Sequence, residues 1–207
     1  MIPSKYIGIT ILLFSTLIIY LVSENTNLKP TINFNDKSEY LPILTANIYA
    51  DLLIIIITFS MILYKSNTLT EWYKKYRLSA MIADILIGVL YILLARYIVY
   101  ILRFNVNLFQ FAMIAVVVQM IFDTAFYIFF KNTPLGMNHM LDFFKRYAKE
   151  TKLDAIFGDS ILVLVAVLLS AYLKQKSIDF NIVTLIIGVY LIPYIIYITA
   201  VHLFIYS

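Results

Sequence analysis

The chain has 207 residues, of which 62% are hydrophobic and only 14% are charged. Soluble domains are about half apolar and about a quarter charged, so a soluble globular domain and a disordered chain are both excluded. The net charge of +4 does not indicate nucleic-acid binding, because the basic residues lie in short loops between apolar runs. The chain has no cysteine, which excludes disulfides and thiolate metal sites.

Six apolar segments are long enough to span a membrane. A spanning helix needs about 20 mostly apolar residues to cross about 30 Å of hydrocarbon. The segments are residues 6–23, 46–64, 79–102, 107–130, 156–173 and 181–205. They predict an all-α fold, a polytopic helix bundle that forms one membrane domain over residues 1–207. The first segment is either an uncleaved anchor or a cleaved signal peptide, and the absence of an A-x-A site favours the anchor.

The distribution of lysine and arginine predicts the orientation of the bundle. Residues 65–78 and 131–155 are strongly basic, whereas residues 24–45 carry more acidic than basic side chains. Basic loops remain in the cytosol, so six spans place both basic loops and both chain termini on the cytosolic side.

The first basic loop contains the only tryptophan of the chain. Trp72 lies beside Lys74, Lys75 and Arg77. Aromatic rings favour the headgroup level and cations favour lipid phosphate. The loop therefore predicts an interfacial belt that contacts anionic lipid.

The second basic loop predicts an amphipathic helix over residues 139–152. Apolar residues recur there at helical spacing, and the other face carries Lys145, Arg146 and Lys149. Such a helix is too polar to span, so it is expected to lie flat in the membrane interface. Docking of a cytosolic protein to this helix is the alternative.

A second group of polar residues lies within the predicted spans. A charge at mid-helix costs on the order of 2.5–3.5 kcal/mol, so each needs a partner, water or a function. Counting from the predicted helix ends places four titratable residues and one amide in the cytosolic leaflet: Asp84, Asp123, Asp159, His202 and Gln119. Crowded carboxylates hold protons or hard cations, which predicts an ion or proton site. Separate hydrogen bonds from neighbouring tyrosines are the alternative.

Asp51 and Arg96 are predicted to lie in the opposite leaflet, at similar depths in two consecutive spans. Their hairpin predicts a structural ion pair. The sequence has no nucleophile-elbow, zinc-protease, P-loop or dinucleotide-binding motif, so no catalytic residue, metal or cofactor is predicted. Enzymatic activity is left open, and the missing motifs count against it.

The C-terminal half resembles a family of uncharacterised multi-span membrane proteins of large (giant) DNA viruses. The resemblance covers PLGMNHMLDFFKRYAKETKLDAIFGDSILVLVAVLLSAYL (134–173) and DFNIVTLIIGVYLIPYIIY (179–197). It implies a virion or host-membrane protein that contacts lipids and a capsid or other protein, and it carries over no catalytic residue. A structural or scaffolding role is the first functional hypothesis. A small cation or proton channel or transporter is the second, and a homo-oligomer is compatible with either.

Overall fold

The computed structural model describes residues 4–60, 67–151 and 153–197. These residues form eight α-helices, namely α1 (Ser4–Asn25), α2 (Tyr40–Ser60), α3 (Asn67–Tyr76), α4 (Leu78–Leu102), α5 (Leu108–Asn132), α6 (His139–Thr151), α7 (Leu153–Lys174) and α8 (Ile178–Ile196). Six of them, all but α3 and α6, are long and apolar enough to cross a membrane. The prediction of an all-α membrane bundle is therefore confirmed.

Four helices form the centre of the bundle. Helix α7 packs against α2, α4 and α5, and α4 packs against both α2 and α5. Helix α1 lies on the outside against α7 and α5, and α8 lies on the outside against α2. We call α2, α4, α5 and α7 the four-helix core.

A glycine allows three core helices to approach closely. A β-carbon at Gly88 of α4 would overlap the Asn47 side chain of α2 and lie 3.4 Å from Leu162 Cδ2 of α7. Small residues at helix crossings allow backbones in membranes to approach each other. Gly88 therefore sets the spacing of three core helices.

Helix α2 begins earlier than the sequence predicts, at Tyr40 instead of residue 46. A 3-10 turn, Lys37–Glu39, precedes it, and the Asp36 side chain accepts a hydrogen bond from the Ser38 N–H. Pro42 lies in the first turn of α2, where a missing N–H is tolerated. The predicted ends of the second and last spans, residues 61–64 and 198–205, lie outside the described residues.

The short helices α3 and α6 pack together at the end of the core where α2 ends and α4 begins, here called the α3 end. The Trp72 ring stacks on Phe143, with ring centroids 5.4 Å apart and an interplanar angle of 24°. Arg77 has a φ of 46° and makes the turn between α3 and α4. The α3 end is therefore covered by two short helices, both of which lie outside the six predicted spans.

The segment between α1 and α2 lies across the opposite end of the core. Lys174 Nζ at the end of α7 donates to the Pro30 carbonyl at 3.1 Å. The hydroxyls of Thr31 and Ser170 are 3.3 Å apart and buried. These contacts hold the segment against α7.

Candidate functional site

Four aspartates lie at a common depth in the four-helix core. Asp51, Asp84, Asp123 and Asp159 belong to α2, α4, α5 and α7 respectively. Each is roughly two turns from the end of its helix at the α3 end, a depth of about 9–14 Å. We call these four side chains the carboxyl layer.

Tyr73 of α3 joins two members of this layer. Its hydroxyl lies 3.0 Å from Asp51 Oδ1 and 2.9 Å from Asp84 Oδ2. Trp72 Nε1 donates a second hydrogen bond to Asp84 Oδ2 at 2.9 Å. Asp51 is fully buried, and among the described residues its Oδ2 has no hydrogen-bond partner. Helix α3 thus brings two aromatic donors into the core.

The other two carboxyl groups of the layer belong to Asp123 of α5 and Asp159 of α7, and they form a second hydrogen-bonded group. The Tyr91 hydroxyl donates to Asp123 Oδ1 at 2.6 Å, and Gln119 Nε2 donates to Asp123 Oδ2. Ser160 donates to Gln119 Oε1 at 2.7 Å. The carboxyl groups of Asp123 and Asp159 are in hydrogen-bond contact with each other. A hydrogen bond between two carboxyl groups requires a proton on one of them.

The carboxyl layer is crowded with acids, which carry like charges when they are ionised. Asp159 is close enough to Asp51, Asp84 and Asp123 for its charge to interact with all three. Within the described part of the chain, no lysine, arginine or histidine forms an ion pair with any of the four. The same residues contain no group of three or more metal-ligating side chains placed to hold a metal ion. The layer therefore holds acids without a paired cation.

Tyr73 remains neutral in these surroundings. It lies on α3, outside the spanning helices, and is 1% exposed. Burial raises the pKa of the Tyr73 hydroxyl well above its usual range, and the adjacent carboxyl groups of Asp51 and Asp84 add to this shift. The hydroxyl therefore keeps its hydrogen as a donor.

The structure brings together most of the predicted ion or proton site. Asp123, Asp159 and Gln119 are in contact, and Asp84 lies in the same layer. His202 lies outside the described residues. The alternative prediction, hydrogen bonds from neighbouring tyrosines, also describes part of the site, because Tyr73 and Tyr91 donate to Asp84 and Asp123. Sequence reasoning did not name these two tyrosines, and it missed Trp72 and Ser160 as donors. The adjacent aromatic residues Trp72 and Tyr73 in the first basic loop were the available signal for α3.

The predicted Asp51–Arg96 ion pair is wrong. Arg96 Nη2 pairs with Glu39 Oε2 at 2.9 Å, and Lys174 pairs with the other oxygen of Glu39. The early start of α2 places Asp51 near mid-helix, in the carboxyl layer, whereas Arg96 lies about 9 Å from the opposite end of α4. We call Glu39, Arg96 and Lys174 the ion-pair triad.

Two backbone carbonyls also accept hydrogen bonds from Arg96, whose Nε and Nη1 have no hydrogen-bond partner among the described residues. Its Nη2 also donates to the carbonyl of Asn33 and, at 3.3 Å, to that of Asp36. The Asp36 side chain accepts hydrogen bonds from the hydroxyl and the N–H of Ser38, which hold its pKa below the usual range. The triad therefore fixes the 3-10 turn against α4 and α7.

The predicted lipid-contacting residues divide into two groups. Trp72 is 3% exposed and lies beneath α6, so its predicted place in an interfacial belt is wrong. The reason is that residues 67–76 form a helix, which turns Trp72 inward and leaves Lys74 and Lys75 exposed. Arg77 is also exposed, with its guanidinium 4.4 Å from the centroid of the Tyr197 ring.

On α6, two of the three predicted basic residues have protein partners. Lys145 donates to the Thr133 carbonyl at 2.7 Å. Arg146 pairs with Glu71 of α3 at 3.1 Å, in a pair that is exposed on both sides. Lys149 is exposed. The exposed cations of α3 and α6 form one surface at the α3 end.

No protein-family model, curated protein or solved structure matches this chain. The resemblance to membrane proteins of large DNA viruses stays a prediction.

Proposed function

We propose that this integral membrane protein transports protons, alone or coupled to a solute, through the carboxyl layer. The observation that carries the proposal is the layer itself, four acids on four packed helices with no ion-paired cation among the described residues. Intramembrane carboxyl groups are costly, and such groups form the proton relays of pumps and transporters. Each can become neutral by accepting a proton.

A proton suits this layer better than a metal ion. Hard cations such as Ca²⁺ require six to eight oxygen ligands that converge on one point. The described acids do not converge in that way. They form hydrogen-bonded chains instead, through Tyr73 on one side and through Asp123 and Asp159 on the other.

The exposure of the four acids supports proton exchange with the α3 end. Asp51 is fully buried, Asp84 and Asp123 are partly buried, and Asp159 is exposed at the surface of the bundle. We expect protons to enter the layer at Asp159, which is its most exposed carboxyl group. The basic residues of this end favour its cytosolic orientation.

The proposal is tested in proteoliposomes that contain a pH-sensitive dye. A potassium diffusion potential drives protons inward, and the initial rate of acidification is measured. We expect the double variant Asp84→Asn/Asp123→Asn to slow this rate by roughly tenfold or more, because an amide cannot release a proton. The matched control is Asp179→Asn, in the exposed first turn of α8 at the other end of the bundle. Wild-type liposomes no faster than empty ones would refute the proposal.

Scaffolding is the second candidate function, and the exposed basic surface of α3 and α6 favours it. Lys74, Lys75 and Lys149 project from the α3 end without being enclosed by the bundle. In a viral or host membrane, such a surface would bind anionic lipid headgroups or an acidic segment of a capsid protein. A scaffold shows no proton flux, and Lys74→Glu/Lys75→Glu should abolish its binding to the partner.

A further inference from the structure

The contacts of Tyr73 limit the number of protons that its two acids can hold. A phenol has one hydrogen and donates it to one acceptor. The Tyr73 oxygen nevertheless lies within 3.0 Å of carboxyl oxygens from both Asp51 and Asp84. If both acids were ionised, one of these oxygen–oxygen contacts would have no hydrogen between its atoms. One of the two carboxyl groups must therefore carry a proton and donate it to Tyr73.

The surrounding donors indicate which acid carries the proton. Asp84 Oδ2 receives hydrogen bonds from both Trp72 and Tyr73, as expected for an ionised oxygen. Asp51 is buried, and its Oδ2 receives no hydrogen bond from the described residues. An ionised carboxylate there would leave a buried charged oxygen without a donor, which is costly. Asp51 is thus the protonated member.

We infer that Tyr73 relays a proton between Asp51 and Asp84, and that Asp51 holds this proton in the conformation seen here. The relay rests on the proposed proton transport and names the residue that links the innermost acid to its neighbour. The O–H bond of Asp51 breaks as a new one forms on the Tyr73 oxygen. The original Tyr73 O–H bond breaks at the same time, and its hydrogen bonds to Asp84 Oδ2. The three groups keep a total charge of −1 throughout.

The packing around Tyr73 leaves few other groups able to take part. Helix α2 contributes Phe59, whose ring is edge-on to Tyr73 at 6.3 Å. Apart from Trp72, the other buried side chains of this cluster are apolar and come from α2, α4, α6 and α8. The charged residues of α3 itself, Glu71, Lys74 and Lys75, are partly or fully exposed.

Among the described residues, the remaining titratable groups near this pair are Asp159 and Asp123 of the carboxyl layer and Tyr91 of α4, which interacts with Asp84. Asp159 of α7 is within electrostatic range of both Asp51 and Asp84. Within the described ranges, no basic side chain forms an ion pair with either acid. Proton exchange at Asp51 therefore depends on Tyr73 and on the charges of the neighbouring acids.

The protonation of Asp51 is tested by infrared spectroscopy on the full-length protein in lipid. A protonated carboxyl group has a carbonyl band that ionised groups lack. We expect such a band to shift on ¹³C-aspartate labelling and to be lost in Asp51→Asn. In Tyr73→Phe the band should persist at a higher frequency, because the acid has lost its hydrogen-bond acceptor. A spectrum in which no protonated band depends on Asp51 would overturn the assignment, whether or not the protein transports protons.

The relay is tested by proton flux in the same variants. Tyr73→Phe keeps the ring and its packing but removes the bridging hydroxyl, so we expect roughly a tenfold or greater loss of flux. The matched control is Tyr76→Phe on the same helix, whose hydroxyl donates to the His139 carbonyl at 2.8 Å. Flux that is present in the wild type and unchanged in Tyr73→Phe overturns the relay. Absence of flux in the wild type would refute the proposed function instead.

Discussion

The four-helix core has two polar layers, one toward each end. The two layers differ in whether their charged groups are paired with groups of opposite charge. The ion-pair triad joins one carboxylate to two cations, and both Glu39 and Arg96 are almost fully buried. The carboxyl layer joins four acids through tyrosine, tryptophan and glutamine side chains, and no ion pair of the described residues includes them. Opposite charges are paired in one layer, and ionisable acids without paired cations are gathered in the other.

This difference separates a structural layer from one able to change its charge. Arginine does not lose its proton in proteins, so the charge of Arg96 is permanent and needs a permanent partner. A carboxyl group can become neutral by accepting a proton. The triad can therefore hold the 3-10 turn in place, while the carboxyl layer can alternate between protonation states. Only the second property supports transport.

The largest effect is expected from removing the one carboxylate of the triad. Glu39→Gln leaves two cations, Arg96 and Lys174, beside each other without a negative partner. Breaking a buried pair in this way costs about 3–5 kcal/mol of unfolding free energy. Chemical unfolding in detergent measures the loss.

The matched control for this variant is Glu71→Gln. It breaks the exposed Glu71–Arg146 pair, whose side chains are 43% and 55% exposed. Exposed ion pairs contribute about 0–1 kcal/mol. Similar losses in the two variants would show that the triad does not stabilise the fold as its burial indicates.

The sequence predicts the spans well because hydrophobic length is a local property. Asp84, Asp123 and Asp159 could also be assigned to one leaflet, since their depths follow from counting residues along helices. Asp51 could not, because its depth depends on the start of α2, which lies six residues before the start of the predicted span at residue 46. The partner of Arg96 was missed because Glu39 precedes the predicted span.

The role of α3 could not be read from the sequence for a different reason. The aromatic and basic residues of segment 67–76 fit a membrane-surface loop as well as they fit a buried helix. Trp72 and Tyr73 become buried only because α6 covers α3, which is a contact between segments about 70 residues apart. A periodic pattern in a single short helix does not specify its partner.

An intermediate loss of unfolding free energy is expected at Gly88, which lies on α4 between the two polar layers. Gly88→Ala places a methyl group against Asn47 of α2 and close to Leu162 of α7. Overpacking of this kind costs about 1–3 kcal/mol. We expect a lower unfolding free energy together with slower proton flux, because α4 carries Asp84 and Arg96 in the two layers.

Gly158→Ala is the control for this packing effect. Apart from its chain neighbours and the backbone of its own helix, no described atom lies within 4 Å of the β-carbon that it adds to α7. Alanine is favoured over glycine within a helix by roughly 0.5–1 kcal/mol, so this variant should be slightly more stable. Equal destabilisation by both substitutions would argue against close packing of α2, α4 and α7 at Gly88.

The smallest effect is expected in the carboxyl layer, and its sign is opposite to that in the triad. Asp159→Asn replaces a carboxyl group crowded by three other acids with an amide that cannot ionise and can still donate a hydrogen bond to Asp123. We expect the unfolding free energy to rise by about 1 kcal/mol at neutral pH, the usual size of a single stabilising substitution. Asp179→Asn, outside the layer, should change it by less than about 0.5 kcal/mol. A loss of stability in Asp159→Asn would mean that the acids are held by partners as firmly as Glu39 is. A gain accompanied by slower flux would instead mean that the crowded charge is maintained at the expense of stability because transport requires it.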